Sequence, residues 1–355
     1  MEEIHLLLEK GILAPSADNL QPWKFRVGEQ RIDLFLDEAR VKNFCDAGFL
    51  APYVSAGAVI ENIRVAASSL GFEITVQPFP EPRHPFYVAS LGFAPSARKT
   101  HPHFPILEKR VTNRSFYQPW RKIEPSLYPR LESAVPKEKG FRLLWIKRKE
   151  PSYRKLSHLV GKADEMRFEN ARLHREFFEI LRFDPDEVTK TKDGLDVRTL
   201  GGGAETKFLL RLMTSWKRLS FLNRFGLSRL FNLYARLQMA SSQAAGLLIG
   251  PTQKPEDYLR GGEIMERLWH EITCSGLALQ PMEAIPIFIL NLQLTGGSDF
   301  SPAQKGRLEA MKKDFFEIFG IHDEQSLILF FRMGYGPPVR HRSLRRPLES
   351  FMKGR

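Results

Sequence analysis

The feature that most constrains this chain of 355 residues is the stretch Ala-Pro-Ser-Ala-Asp-Asn-Leu-Gln-Pro-Trp at positions 14–23. Its two prolines fix the backbone φ angle, and each disfavours helical geometry at the residue before it. The stretch is therefore predicted to be a short non-helical loop. Between the prolines lie a hydroxyl, Ser16, and two carboxamides, Asn19 and Gln21. Because a carboxamide carries both a donor and an acceptor, these groups suit the edge of a planar heterocycle.

This stretch resembles the A-P-S-x-x-N-x-Q-P-W signature of the nitroreductase family, whose members are oxidoreductases that use flavin mononucleotide (FMN). The resemblance implies that FMN is contacted here by four residues, Pro15, Ser16, Asn19 and Gln21. The structural alternative is a proline-bounded turn between a helix and a strand, with Trp23 as a core anchor.

The charge balance favours a phosphorylated ligand. The chain has 53 basic and 41 acidic residues, which gives a formal net charge of +12. Such an excess is compatible with nucleic acid, an anionic membrane surface or a phosphorylated ligand. No signature of a nucleic-acid-binding module accompanies it. We therefore expect a phosphate-bearing cofactor and a small-molecule substrate, and no specific nucleic-acid partner.

The cysteine content and the hydropathy favour the cytoplasm. Cys45 and Cys274 do not make a disulfide framework, and both are predicted to be small buried side chains. No signal peptide is recognised at the amino terminus. No run of 18 apolar residues occurs, so no membrane-spanning helix is expected.

The hydrophobic periodicity predicts a mixed α+β fold. In the first half, helices are predicted over 4–13 and 56–70, and strands over 23–27, 32–36, 72–79 and 86–93. In the second half, strands are predicted over 244–249 and 327–333, and a helix over 262–276. Also in the second half, an exposed charged helix is predicted over 160–174 and two amphipathic helices over 205–236.

An internal correspondence indicates a duplicated unit. The helix from Gly57 to Gly71 matches the helix from Gly262 to Gly276 in register, and the strand endings 91–95 and 333–337 also correspond. Coincidence between two amphipathic helices is the alternative. The duplication predicts a first repeat over 1–105 and a second over 106–355.

The second repeat contains an unmatched segment at about 150–235. Within 205–236, seven basic residues accompany one acidic residue. This pattern is typical of solvated amphipathic helices packed on a core. The functional alternatives are a lid over a cofactor, a clamp for an anionic substrate, or contact with a membrane interface.

Three further motifs of the second half resemble nitroreductase elements. Residues 110–114 resemble the R-x-S-x-R motif, residues 277–285 a G-L-x-x-x-P-x-E-G-F turn, and residues 334–347 the terminal G-Y-x…R-R-P element. The resemblance implies phosphate contacts from Arg110 and Thr112, a contact with the flavin N1/O2 edge from Arg114, and further phosphate-binding cations at Arg345 and Arg346. It also implies that the backbone of Pro281, Met282, Glu283 and Ala284 approaches flavin N5 and O4. Ala284 replaces the family's usual glycine, which is costly if the position requires a positive φ.

The distribution of these motifs resembles a fused dimer. In nitroreductases, one subunit supplies the A-P-S-x-x-N loop and the other supplies the remaining elements. Here the loop lies in the first repeat and every other motif in the second. The chain therefore resembles the tandem, Acg-type branch of the superfamily. The resemblance implies a nitroreductase-like three-layer fold with an intrachain pseudo-dimer and one FMN, so a monomer is compatible with function.

The implied activity is electron transfer from NAD(P)H, a transient co-substrate, through FMN to a nitroaromatic- or quinone-like acceptor. Because the flavin carries the chemistry, no catalytic side chain is assigned, and no metal site is expected. One alternative is an FMN storage or sensing protein without NAD(P)H turnover. Another is a cationic binder of membranes or nucleic acids built on an inactive enzyme fold.

Overall fold

The amino-terminal half forms an antiparallel sheet of four strands covered by two helices. The computed structural model describes residues 2–41, 48, 50–136, 140–201 and 203–354. The strand order in this sheet is β1-β2-β4-β3. The elements are α1 (Glu2–Gly11), β1 (Trp23–Val27), β2 (Arg31–Leu36), α2 (Leu50–Leu70), β3 (Phe72–Pro78) and β4 (Tyr87–Pro95).

The carboxyl-terminal half contains a second sheet and most of the helices. Its strands are β5 (Arg142–Lys147), β6 (Leu181–Arg182), β7 (Leu195–Asp196), β8 (Ala244–Gly250), β9 (Ala278–Pro281) and β10 (Ser326–Gly334). Its helices are α3 (Leu127–Ser133), α4 (Pro151–Glu169), α5 (Ala171–Ile180), α6 (Pro185–Thr191), α7 (Ala204–Leu212), α8 (Trp216–Asn223), α9 (Leu227–Ser241), α10 (Pro255–Cys274), α11 (Ala284–Thr295) and α12 (Pro302–Phe319).

The two four-stranded sheets have the same connectivity. The second is antiparallel in the order β5-β8-β10-β9, and β6 and β7 form a separate parallel pair. In the first sheet, the long helix α2 connects β2, the second strand in spatial order, to the edge strand β3. In the second sheet, α10 connects β8 to the edge strand β9 in the same way. The mixed α+β fold is therefore confirmed, and its connectivity is consistent with a tandem arrangement. The repeat boundaries 1–105 and 106–355 stay a prediction.

Helices α2 and α10 pack directly against each other at the centre of the molecule. Gly57 of α2 faces the backbone of α10, and Gly262 of α10 faces the backbone of α2. Both helices end at a glycine with positive φ, Gly71 at 88° and Gly276 at 68°, as expected for C-terminal caps. The glycines that matched in the sequence therefore have matching positions in the fold.

The inserted segment is more buried than its charge pattern predicts. The helix expected to be exposed over 160–174 is two helices, α4 and α5. They separate at Asn170, whose side chain accepts hydrogen bonds from the backbone of Arg172 and Leu173. Val160 and Met166 of α4 are buried in the core, because α4 packs against α9. The structure has three helices, α7 to α9, in the region 205–236 where two were predicted.

The prediction of buried cysteines is wrong for Cys274, which is exposed at the last turn of α10. It lies beside the Gly276 cap, where the helix surface faces solvent. Cys45 falls outside the described residues. None of the described helices is both long and apolar enough to cross a membrane.

Candidate functional site

The loop after α1 has a strained backbone. The Ser16 hydroxyl accepts a hydrogen bond from the Gln21 N–H at 2.9 Å, which closes the loop on itself. Three of its residues have positive φ angles, Asp18 at 51°, Asn19 at 57° and Gln21 at 53°. Residues other than glycine rarely adopt this region, and such strain is concentrated at binding and catalytic sites. Surrounding contacts must hold the loop in this shape.

The carboxyl-terminal segment supplies those contacts through Arg345. Its guanidinium donates to the backbone carbonyls of residues 12–14 at 2.8–3.0 Å and to Asn19 Oδ1 at 2.8 Å. The Asn19 amide in turn donates to the Leu344 carbonyl at 3.2 Å. Asn19 and Arg345, two predicted site residues that lie far apart in the sequence, are therefore in direct contact.

Arg110 approaches the same loop from the second half. Its guanidinium donates to the Leu13 carbonyl at 2.7 Å, and its Nε lies 2.9 Å from Glu266 Oε1 on α10. The guanidinium also lies 4.8 Å from the centroid of the Trp269 ring. Burial lowers the pKa of Arg110, and the Glu266 carboxylate opposes that shift. Arg110 thus links α10 to the amino-terminal loop.

A cavity of about 130 Å³ lies between the loop and the second half. Seven predicted site residues line it: Pro15, Ser16, Asn19, Arg110, Thr112, Arg114 and Arg345. The rest of the lining was not singled out from the sequence: Leu13, Asp18, Leu107, Glu108, Val111, Leu195, Thr199, His341, Arg342 and Ser343. Arg342 and His341 adjoin the predicted arginine run, whereas Leu195 and Thr199 belong to the inserted segment, for which no motif exists.

The cavity is electrostatically suited to an anion. Burial, together with the neighbouring charge of Arg110, lowers the pKa of Arg345 to about 9. No carboxylate of the described residues lies at salt-bridge distance from Arg345. Burial also lowers the pKa of Arg114, and it raises the pKa of Asp18 on the facing side of the cavity. Asp18 partly compensates the charge of Arg114, and an incoming anion would offset the positive charge of Arg345.

Gln21 and Arg346 lie behind the loop and do not line the cavity. The Gln21 amide accepts from the Arg346 N–H at 2.9 Å and donates to the carbonyls of Asn19 and Lys192. The Arg346 guanidinium donates to the Gln21 carbonyl and lies 4.4 Å from the centroid of the Phe351 ring. In this arrangement both side chains hold the loop in place.

The turn at residues 281–284 does not line the cavity either. Glu283 Oε1 accepts from the Phe330 N–H at 2.9 Å, and Met282 and Ala284 are buried in the core beneath α4. Burial raises the pKa of Glu283 to about 8. Ala284 begins α11 without a positive φ, so the expected backbone cost of alanine does not arise.

Part of the inserted segment covers the cavity. Asp193 forms salt bridges to Arg40 at 2.8 Å and to Arg182 at 3.1 Å. Although burial opposes it, hydrogen bonds from these two guanidinium groups hold the pKa of Asp193 below its ordinary value. The Thr199 carbonyl accepts from Arg114 at 3.3 Å. Residues 192–201 are thus attached to both sides of the candidate site.

A larger cavity of about 430 Å³ lies elsewhere, between β3 and α10. Glu263 in its wall pairs with Arg64 at 2.6 Å and with Arg260 at 2.7 Å. These charges compensate one another, and none of the predicted site residues lines this cavity. The smaller, cationic cavity is therefore the candidate site.

Sequence relatives of the chain include nitroreductase-like proteins. The uncharacterized protein MT1398 of Mycobacterium tuberculosis is 28% identical over 350 residues, 96% of this chain and 47% of that protein. The putative NAD(P)H nitroreductase Acg of the same organism is 33% identical over 120 residues, 32% of this chain and 36% of Acg. The chain thus spans about half the length of the first relative, and its match to Acg covers about a third of that protein. No protein-family model matches the chain.

Two solved structures show a distant likeness to the chain. The FMN- and NADPH-dependent nitroreductase NfnB of a Sphigopyxis strain has a TM-score of 0.38 at 14% identity, over 71% of this chain and 98% of that protein. A nitroreductase-like protein of Bacillus cereus has a TM-score of 0.36 at 12% identity, over 71% and 94%. Likenesses at this level carry no argument about function.

Proposed function

Since the sequence relatives support a place for this chain in the nitroreductase superfamily, we propose that it is an FMN-dependent oxidoreductase. In this proposal it transfers electrons from NAD(P)H through FMN to a small nitroaromatic- or quinone-like acceptor. One FMN is bound per chain, between the loop at 14–23 and the carboxyl-terminal half.

The junction of Asn19, Arg110 and Arg345 at one cavity is the observation that carries the proposal. Asn19 and Arg345 are 326 positions apart in the chain, yet they are in direct contact, and both arginines donate to the Leu13 carbonyl. A chance likeness of three short motifs gives no reason for their side chains to converge. Convergence at a cationic cavity supports a shared anionic ligand.

The phosphate end of FMN fits the residues present. Guanidinium groups bind phosphate oxygens through paired N–H donors, and Arg110, Arg345 and the Thr112 hydroxyl all line the cavity. The Thr112 hydroxyl has no hydrogen-bond partner among the described residues, so it is available to a ligand. A phosphate dianion would also compensate the partly buried charge of Arg345.

The ring system requires more room than the closed cavity provides. Sites for ligands of this size usually enclose roughly 300–1,000 Å³, whereas this cavity has about 130 Å³. We take the segment 192–201 to be the part of the cavity wall that moves. It belongs to the insertion and contributes Leu195 and Thr199 to the lining. We therefore place the flavin ring where this segment now lies, so that binding displaces it.

The chain's residues then have distinct roles. Bound FMN supplies the redox chemistry, accepting a hydride and releasing electrons. Arg110, Thr112 and Arg345 hold and orient it by its phosphate. Arg114 supplies a positive charge that favours the reduced, negatively charged pyrimidine edge. No side chain is needed as a general acid or base.

A second candidate function is FMN binding without NAD(P)H turnover, as in storage or sensing. The observation that favours it is the attachment of residues 192–201 to both halves of the site, through Asp193 and through the Thr199 carbonyl. If the displaced segment stays tethered at one of these contacts and closes over the outer face of the flavin, it also excludes the nicotinamide.

Anaerobic mixing of the FMN-loaded protein with NADH or NADPH distinguishes the two functions. Loss of the flavin absorbance band, followed by its return on addition of a quinone or a nitroaromatic, supports the oxidoreductase. Persistent absorbance at excess NAD(P)H supports storage or sensing instead. A purified protein that is colourless and does not bind added FMN contradicts both.

A further inference from the structure

Helices α7 to α9 carry an unusual concentration of exposed apolar side chains. Of the fifteen large apolar side chains that are exposed among the described residues, ten lie within 204–241. Phe208, Phe221 and Phe225 are 65%, 55% and 76% exposed. Exposed apolar side chains concentrated in one part of a folded domain often mark an interaction site.

Helix α9 shows that this exposure is organised. Leu230, Leu233 and Leu237 form an exposed stripe with helical spacing, whereas Ala235 and Met239 on the other side are buried. The buried side packs on α4, so fold stability accounts for it. The exposed leucines have no such explanation, because none of them belongs to a hydrophobic core cluster of the described residues.

Basic side chains alternate with these apolar ones. Arg211, Lys217, Arg218, Arg224 and Arg229 are all exposed. None of them forms a salt bridge with a carboxylate of the described residues. The one acidic residue of the region, Glu205, accepts from the backbone of Gly203 instead. The surface formed by α7 to α9 is therefore both apolar and strongly cationic.

We propose that α7 to α9 form a docking surface for an anionic lipid membrane, on which they lie in the plane of the interface. Apolar side chains such as Phe221 and Phe225 would enter the boundary of the acyl chains, while the interleaved arginines reach back to the phosphates. Bilayers with anionic headgroups provide both chemistries over a broad area.

Two other occupants fit the charges less well. A symmetric interface brings the same patch of each copy together, so a second copy of this chain would oppose like charges. A nucleic acid would satisfy the arginines but would leave the aliphatic side chains of Leu212, Leu233 and Leu237 in water. The anionic bilayer accounts for both sets of side chains.

The proposal is tested by co-sedimentation of the full chain with unilamellar vesicles. We expect the protein to pellet with vesicles of phosphatidylcholine containing a third phosphatidylglycerol, and to stay in the supernatant with phosphatidylcholine alone. High salt should weaken the binding because it screens the headgroup attraction. Failure to pellet with the anionic vesicles at low salt overturns the proposal.

Matched variants locate the binding surface. The double variant Arg218→Glu, Arg224→Glu should lower the partition coefficient by at least about fivefold for each basic side chain removed. Its control, Arg83→Glu with Arg98→Glu, changes the net charge equally at exposed positions of the first half and should leave binding within about twofold of the unmodified protein, since those positions lie outside the surface.

Apolar variants provide an independent check. Phe221→Ser with Phe225→Ser should weaken vesicle binding several-fold, whereas Leu294→Ser, at an exposed position outside the surface, should not. Circular dichroism establishes that each variant is folded. Unchanged binding of folded patch variants contradicts the proposal. A homodimer that these variants split, or retention of duplex DNA without vesicle binding, assigns the surface to a second copy or to nucleic acid.

Discussion

Gly57 and Gly262 lie at the crossing of α2 and α10, and each leaves room for the backbone of the other helix. A Cβ atom on Gly57 would lie 2.0 Å from the Leu259 carbonyl oxygen, and one on Gly262 would lie 2.0 Å from the Val54 carbonyl oxygen. Because the obstructing atoms are backbone, no side-chain rotation relieves the overlap. The contact between the two halves therefore depends on the absence of side chains at both positions.

Gly57→Ala should destabilise the protein by about 1–3 kcal/mol or more, as overpacking of a close backbone contact does. Urea unfolding followed by circular dichroism measures this loss. The control is Gly306→Ala on the exposed side of α12, where a Cβ would meet nothing within 4 Å. That control should be neutral or stabilising by about 0.5–1 kcal/mol. Equal stabilities of the two variants would contradict the tight crossing.

Thr112→Val should weaken FMN binding by roughly ten- to a hundredfold, because it removes one hydrogen bond to a charged phosphate. The side chains are nearly the same size, so the thermal unfolding temperature without FMN should change little. Fluorescence titration of FMN measures the affinity. Thr189→Val, on the exposed face of α6, is the matched control. An unchanged affinity in Thr112→Val means that the phosphate assignment is wrong.

Glu266→Ala should destabilise the fold by about 3–5 kcal/mol, since it leaves the buried Arg110 guanidinium without its carboxylate partner. Excess FMN should restore part of the loss, because an anion at the cavity replaces the missing charge. Thermal unfolding with and without FMN measures both effects. A variant whose stability equals that of the wild type would show that the pair contributes little.

The titration of Glu283 should make the free energy of unfolding depend on pH. Burial raises its pKa from an ordinary value of 4.5 to about 8, so the folded state binds a proton that the unfolded state has released between these values. Its contribution is therefore complete below about pH 4.5 and is lost as the pH rises towards 8. Because one pKa unit corresponds to about 1.4 kcal/mol, the loss over the whole range should be several kcal/mol, about 5 kcal/mol at most. Glu283→Gln, which keeps an acceptor for the Phe330 N–H, should flatten this part of the urea-unfolding profile.

Asp193→Asn should speed FMN association several-fold, because it breaks the ion pairs with Arg40 and Arg182 that hold residues 192–201 over the cavity. Stopped-flow quenching of FMN fluorescence gives the rate. Asp314→Asn, which disrupts the exposed pair with Lys155, is the control and should leave the rate unchanged. An association rate that is the same in both variants would show that the segment does not limit entry.

Local patterns predicted much of the fold. Alternating apolar residues predicted the hairpin of β1 and β2, and it forms in the register that pairs Trp23 with Leu36. The same alternation predicts an exposed side chain at Asp33, and this prediction is wrong. Asp33 is buried because Tyr87 and Ser90 of β4 donate to its carboxylate, and such partners cannot be recognised from the periodicity of one strand.

The sequence predicted the residues of the candidate site that belong to a motif. It did not predict the residues that a distant segment without a motif contributes. Arg110, Thr112 and Arg345, to which the motifs assign a phosphate, line the same cavity, and their contact with a phosphate stays a prediction. Thr199 also lines it, but its place depends on how α4 and α9 position the insertion. Gln21 belongs to a motif yet serves the loop's own structure, because its amide groups already have protein partners.

The hold of Arg345 on the amino-terminal loop has a consequence for biosynthesis. Three backbone carbonyls and the Asn19 amide, made first by the ribosome, receive their guanidinium only after residues 340–346 have emerged. Both sheets can form before that moment, because β10 ends at Gly334, but the cavity at the candidate site cannot. A nascent chain that stalls in between would have both sheets but an incomplete candidate site.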